Sequence, residues 1–134
     1  ETIAHLRDDG RIVIMLCAFE GPPRIVRLHG RGTVTQLGDA GFDELVATHG
    51  LGSVDEARAG SRAVIRVDVD RVSDSCGYGV PLMRHEGKRP QFRDWLDHKL
   101  RQGPNALMDY AREHNATSVD GLPAVDADVL PDRG

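Results

Sequence analysis

The hydrophobic pattern is densest between Arg11 and Thr35, in RIVIMLCAFEGPPRIVRLHGRGTVT. Residues Ile12 to Phe19 are all apolar, which predicts a strand buried on both faces. Glu20-Gly21-Pro22-Pro23 is turn punctuation. The return strand alternates. Arg24, Val26, Leu28, Gly30, Gly32 and Val34 point one way, and Ile25, Arg27, His29, Arg31 and Thr33 the other. One face of this hairpin suits a core, and the opposite face carries basic groups. Ser61 to Val72 is a third strand, with Ala63, Ile65, Val67 and Val69 on one side and Val64, Arg66, Asp68 and Asp70 on the other.

Helical spacing marks the remainder. Ile3 and Leu6 predict a short helix over Thr2 to Asp9, with Thr2 as its cap. Phe42, Leu45, Val46 and His49 trace a second, with Asp39 as N-cap and Gly50 as its stop. Leu51 to Gly60 reads as a surface connection with room for one helical turn. Phe92, Trp95, Leu96 and Lys99 form a stripe after Pro90, and Leu107, Tyr110 and Ala111 another after Pro104, with Asn115 as a left-handed stop. Ser73 to Met83 reads as a loop, its backbone freed by Gly77 and Gly79. The predicted class is α+β, mainly β. Three strands do not close a barrel, so the sheet calls for partners from further sequence or a second subunit.

At 134 residues the chain fits one domain. The expected division is a domain over 1–123 and a poorly ordered tail over 124–134. A net charge of −4 and only 4% aromatic residues argue against a nucleic-acid binder. No apolar run reaches membrane-spanning length. Cys17 and Cys76 read as free thiols, which favours a reducing, cytoplasmic compartment. The chain opens on Glu1 inside a helical pattern, as expected of a piece of a longer protein.

Candidate chemistry is narrow. Six histidines lack metal-ligand spacing, so no metal site is predicted. Gly30-Arg31-Gly32 lies within a strand rather than at a strand-to-helix turn, which excludes a dinucleotide fingerprint and points to a bulge or close packing. Asp74 beside Cys76 opposes a thiolate. Arg27, His29 and Arg31 line one strand face at alternate positions. Such a face is either solvated, or paired with Asp68 and Asp70, or built for a phosphate or other anion.

Three phrases carry a resemblance: CAFEGPPRIVRLHGRG, VDRVSDSCGYGVPLM and NATSVDGLP. Together they resemble the pyridoxamine 5′-phosphate oxidase-like family of FMN-binding split β-barrel proteins, over residues 1–123. The resemblance implies an antiparallel split barrel with small flanking helices, incomplete in this chain because the family's upstream strands precede Glu1. It also implies a homodimer with flavin at the subunit interface. The cofactor implied is FMN, or alternatively a deazaflavin. The partners are then a small-molecule substrate or electron donor. Carried over by position, the cofactor-binding residues are Thr2, Ile25, Arg27, His29, Ser75 and Tyr78; no acid or base residue is assigned. Family oxidases that make pyridoxal phosphate place a flavin-contacting Gln where Ile25 stands and carry a Trp-Gln-Gly loop near Ser73 to Gly77. This chain has neither feature, so vitamin B6 oxidation is not expected. The expected function is a flavin-dependent oxidoreductase. The alternatives are a non-enzymatic flavin- or ligand-binding module and a structural dimer without cofactor.

Overall fold

The computed structural model describes residues 1–126 and 128–130. Its centre is one antiparallel sheet of β1 (Arg11–Cys17), β2 (Arg24–Gln36) and β3 (Ala63–Cys76), in the order β1-β2-β3. The described helices are α1 (Thr2–Asp8), α2 (Phe42–Thr48), α3 (Val54–Gly60), α4 (Gln91–Gln102) and α5 (Ala106–Asn115). The predicted α+β class is therefore present, and the sheet is open, with β1 and β3 as its edges.

Packing is concentrated where β2 ends and β3 begins. Phe42 and Val46, one turn apart on α2, meet Met108 and Ala111 of α5 in the core. Gln36, the last residue of β2, has no solvent exposure. Its Nε2 donates to the Asp126 carbonyl at 2.6 Å, and its Oε1 accepts from the Asp126 backbone N–H at 2.8 Å and from Arg7 at 3.3 Å. One buried amide thus ties the sheet to α1 and to the C-terminal segment. The same segment falls in the stretch expected to be a poorly ordered tail. Ala124, Val125 and Leu130 are buried, and Val125 and Leu130 join the core. Their apolar side chains enter the core while Gln36 satisfies the backbone beside them. Positions 127 and 131–134 of that tail lie outside the described residues.

The two strand glycines are explained by close approach. A Cβ on Gly30 would lie 2.2 Å from the Asp68 carbonyl oxygen, and one on Gly32 would lie 2.7 Å from a Leu6 methyl. Gly32 therefore admits α1 onto the sheet, and Gly30 sits at a β-bulge. Gly30 pairs with Val69 while His29 pairs with Arg71, so Asp70 is the extra residue.

Several local expectations change. The apolar run does form a strand, but it is not buried on both faces: Val13, Ile14, Met15 and Leu16 are exposed, and α1 approaches β1 at its Arg11 end. β3 continues through Ser73 to Cys76, where a loop was expected, because those residues pair with Arg24 to Arg27. Residues 54–60 are helical. Ser53 and Glu56 form a reciprocal capping box, with Ser53 Oγ accepting from the Glu56 N–H at 3.1 Å. Thr2 lies within α1 and Glu1 takes the cap position. Asp39 does not cap α2; its carboxylate accepts from the Gln36 N–H at 2.7 Å instead. Asn115 is the last residue of α5, and among the described residues no residue other than glycine has a positive φ.

Candidate functional site

Directly paired residues in an antiparallel ladder share a face. On one face of this sheet Ile25 stands opposite Ser75, Arg27 opposite Ser73, and His29 opposite Arg71. On the other flank of β2 the same face carries Val13 opposite His29, Met15 opposite Arg27, and Cys17 opposite Ile25. The outer half of the sheet therefore presents two stripes side by side. One is cationic and hydroxyl-bearing; the other is apolar.

The polar stripe is connected by hydrogen bonds that run diagonally between β2 and β3. Arg27 donates to Ser75 Oγ at 3.0 Å. His29 Nε2 lies 3.1 Å from Ser73 Oγ, and its Nδ1 lies 3.2 Å from an Arg71 guanidinium nitrogen. With Arg71 donating, Nδ1 is the acceptor, which fixes the proton on Nε2 and makes Ser73 the acceptor there. Ser75 thus holds the Arg27 guanidinium, and Ser73 holds the His29 imidazole, to which the Arg71 guanidinium is bonded. Among the described residues neither Arg27 nor Arg71 forms an ion pair with a carboxylate. The pairing that would have made this a plain solvated face is not made. Asp68 does stand opposite Arg31, yet it lies 3.7 Å from Arg66, while Arg31 donates to the Asp9 carbonyl at 2.8 Å.

An uncompensated cationic stripe attracts an anion, and guanidinium groups offer paired donors to phosphate or carboxylate oxygens. The neighbouring stripe suits an apolar body. Met15 is 57% exposed and Val13 48%, surface that a soluble chain normally covers. A ligand with an anionic end and a flat apolar end would use both.

Of the six residues predicted for cofactor binding, the structure brings four together: Ile25, Arg27, His29 and Ser75. Ser75 does so from β3 rather than from a loop. Tyr78 lies two residues beyond β3 and is 83% exposed. Thr2 lies elsewhere, on a cleft of about 440 Å³ with Arg62, Asn115 and Val125 that includes none of the stripe residues. The structure adds Arg71 and Ser73. Strict alternation along β3 hides them, since it puts Arg71 on the face away from Asp68; the bulge at Asp70 reverses the phase. Both cysteines are free thiols, as expected, and Cys17 lies at the end of the apolar stripe. Glu1, His5 and Asp120 also cluster, but all are exposed; His5 lies 3.2 Å from Asp120 and 3.6 Å from Glu1, an arrangement that ties α1 to the 117–123 loop.

The geometry can be set beside known proteins. Over its whole length the chain is 35% identical, across 146 aligned residues, to the pyridoxamine 5′-phosphate oxidase family protein ustO of Aspergillus flavus. The chain is thus similar to a protein named for the pyridoxamine 5′-phosphate oxidase family. It spans 56% of the length of that relative. No family model and no solved structure matches it. The kinship agrees with the resemblance carried by CAFEGPPRIVRLHGRG and VDRVSDSCGYGVPLM. Those two phrases supply Ile25, Arg27, His29, Arg71, Ser73 and Ser75, so the phrases that point to this family also build the two-stripe face. Among the described residues, no helix is long and apolar enough to cross a membrane.

Proposed function

We propose that the chain is the larger part of a flavin-binding oxidoreductase domain, and that the two-stripe face is its flavin site. The observation that carries this reading is the cationic stripe without counter-ions, laid beside an exposed apolar stripe. FMN has a matching division: a phosphate and a flat ring system. Arg27 and Arg71 would meet the phosphate, with Ser75 positioning Arg27, and Ser73 positioning the His29 imidazole that bonds Arg71. Val13, Met15 and Ile25 would meet the ring. A deazaflavin phosphate offers the same two ends and is the alternative cofactor. When bound, the flavin supplies the hydride and electron chemistry, and the protein supplies binding, orientation and electrostatics.

The same reading accounts for the open sheet. In a split barrel, further strands and a second subunit would cover β1. Its apolar side chains then become an interface, and the flavin site becomes complete at a homodimer contact. The substrate is a small molecule, and a cytoplasmic setting suits the two free thiols. The test is an absorption and fluorescence titration of the full-length protein with FMN. A yellow protein, or saturable quenching of flavin fluorescence, supports the reading. A colourless protein that ignores both FMN and deazaflavin contradicts it.

A further inference from the structure

A second site lies at the opposite end of the sheet. A cleft of about 430 Å³ opens between α4, α5 and the turn from α3 into β3. That volume falls within the usual range for small-molecule sites. The chain has one Trp, two Tyr and three Phe. Trp95, Tyr110 and Phe92 all line this cleft. Trp95 meets Tyr110 edge-on at 5.1 Å between ring centres and lies nearly parallel to Phe92 at 6.2 Å. These contacts join α4 to α5 yet leave aromatic surface unspent: no residue of α4 is fully buried, and Phe92 is 67% exposed.

The polar end of the cleft is donor-rich. Arg62 is its charged lining residue, and no carboxylate lines it among the described residues. Arg62 donates to Asn115 Oδ1 at 2.5 Å and forms no ion pair among the described residues. That bond fixes the Asn115 amide with its Nδ2 pointing away from Arg62. Nδ2 is sealed from solvent and has no acceptor among the described residues. Just outside the lining, Lys99 adds a second cation over the Tyr110 ring at 5.1 Å.

We infer that this cleft binds a small planar aromatic anion, with its ring against Trp95 and its carboxylate on Arg62. Aromatic walls and a guanidinium without a counter-ion converge on that one chemistry. The site is separate from the two-stripe face. Ser73 lies roughly 35 Å along β3 from Arg62, at about 3.3 Å per residue. The cleft accepts its ligand whether or not flavin occupies the other end.

The test uses the whole chain and two probes, 2-naphthoate and the uncharged 2-naphthalenemethanol. The single tryptophan gives a single indole N–H resonance in a ¹H–¹⁵N spectrum, which reports on the cleft directly. The expected result is a saturable shift of that resonance with 2-naphthoate and at least about tenfold weaker binding of the alcohol, the effect of one hydrogen bond to a charged group. Arg62→Met removes an exposed side chain, so the fold survives and the unperturbed spectrum verifies it; this variant should lose the preference for the anion. Arg27→Ala should leave 2-naphthoate binding unchanged, which separates this site from the flavin site. No saturable indole shift overturns the inference. So does equal affinity for the two probes, or a preference for the anion that persists in Arg62→Met.

Discussion

At one end of the sheet Gln36 is wholly enclosed and makes hydrogen bonds to Asp126 and Arg7, with Phe42 and Met108 packed nearby. At the other end of the same strands Met15 and Val72 stand more than half exposed, and Arg27 is answered only by a serine hydroxyl. Both ends are made of strongly strand-forming sequence. They differ in what lies over them. Helices and the C-terminal segment cover the Gln36 end, whereas no described element covers the outer end. Apolar content in a strand therefore does not by itself report a core. At the outer end it is exposed surface beside a cationic stripe, which the proposed flavin site would use.

The largest expected difference between the ends is in folding stability. Phe42→Ala should cost about 3–5 kcal/mol, because it empties a filled core site. Met15→Ala should stay within about 0.5 kcal/mol in the isolated chain, because its side chain is already in water. Urea unfolding of both variants measures this. Equal losses would show that the outer end is packed in solution.

Arg27→Ala should reverse the ranking for binding. It should weaken FMN by about 1.5–3 kcal/mol, the range for a hydrogen bond to a charged group, with little change in the unfolding midpoint. A fluorescence titration reads the first quantity and urea unfolding the second. An unchanged dissociation constant would return Arg27 to a solvated face.

Gln36→Leu probes the polar part of the packed end. It should cost about 1–3 kcal/mol, since the Asp126 N–H and carbonyl lose their partner in a partly buried place. Proteolysis should then cut first in the segment after Pro123. If stability and cutting are unchanged, Gln36 does not hold the tail.

The smallest effect concerns acid. The Asp43 carboxyl is held below its ordinary value of 3.8, chiefly by the hydrogen bond from Arg58 and also by that charge. The folded chain therefore binds this proton less readily than the unfolded chain does. The contribution is present above the ordinary carboxylate value and is lost as pH falls through the depressed one. Because the pair is exposed, the change should be slight and screened by salt. Asp43→Asn should flatten the acid limb of stability against pH by a small amount and leave neutral pH nearly untouched. An identical acid limb would show that Arg58 has no preference for the ionised form.

The sequence made part of this arrangement legible. The alternation in Arg24 to Thr35 identified β2 and its basic face correctly, since period-two patterning survives in a regular strand. Phe42 and Val46 were readable as a helical stripe for the same reason. The rest depended on contacts that no local window contains. Ser73 to Cys76 have weak strand preference, and pairing with Arg24 to Arg27 decides their conformation. The glycines of Gly30-Arg31-Gly32 pointed to a bulge or close packing, but not to Asp70 as the extra residue across the sheet, which brings Arg71 to the site. Val125 and Leu130 look isolated among acidic residues and are buried because Gln36, far earlier in the chain, holds the backbone between them. Ser53 and Glu56 were the exception. Their capping-box spacing was present in the sequence, although Leu51 to Gly60 reads as a surface connection.

The central claim is that the cationic stripe recognises the anionic end of a flavin. The most direct measurement compares FMN with riboflavin, which has the same ring and no phosphate, in titrations of the same protein at fixed salt. The account predicts that FMN binds more tightly by about tenfold or more, and that most of this advantage disappears in Arg27→Ala. Equal affinity for the two flavins, or an FMN advantage untouched by Arg27→Ala, would contradict it.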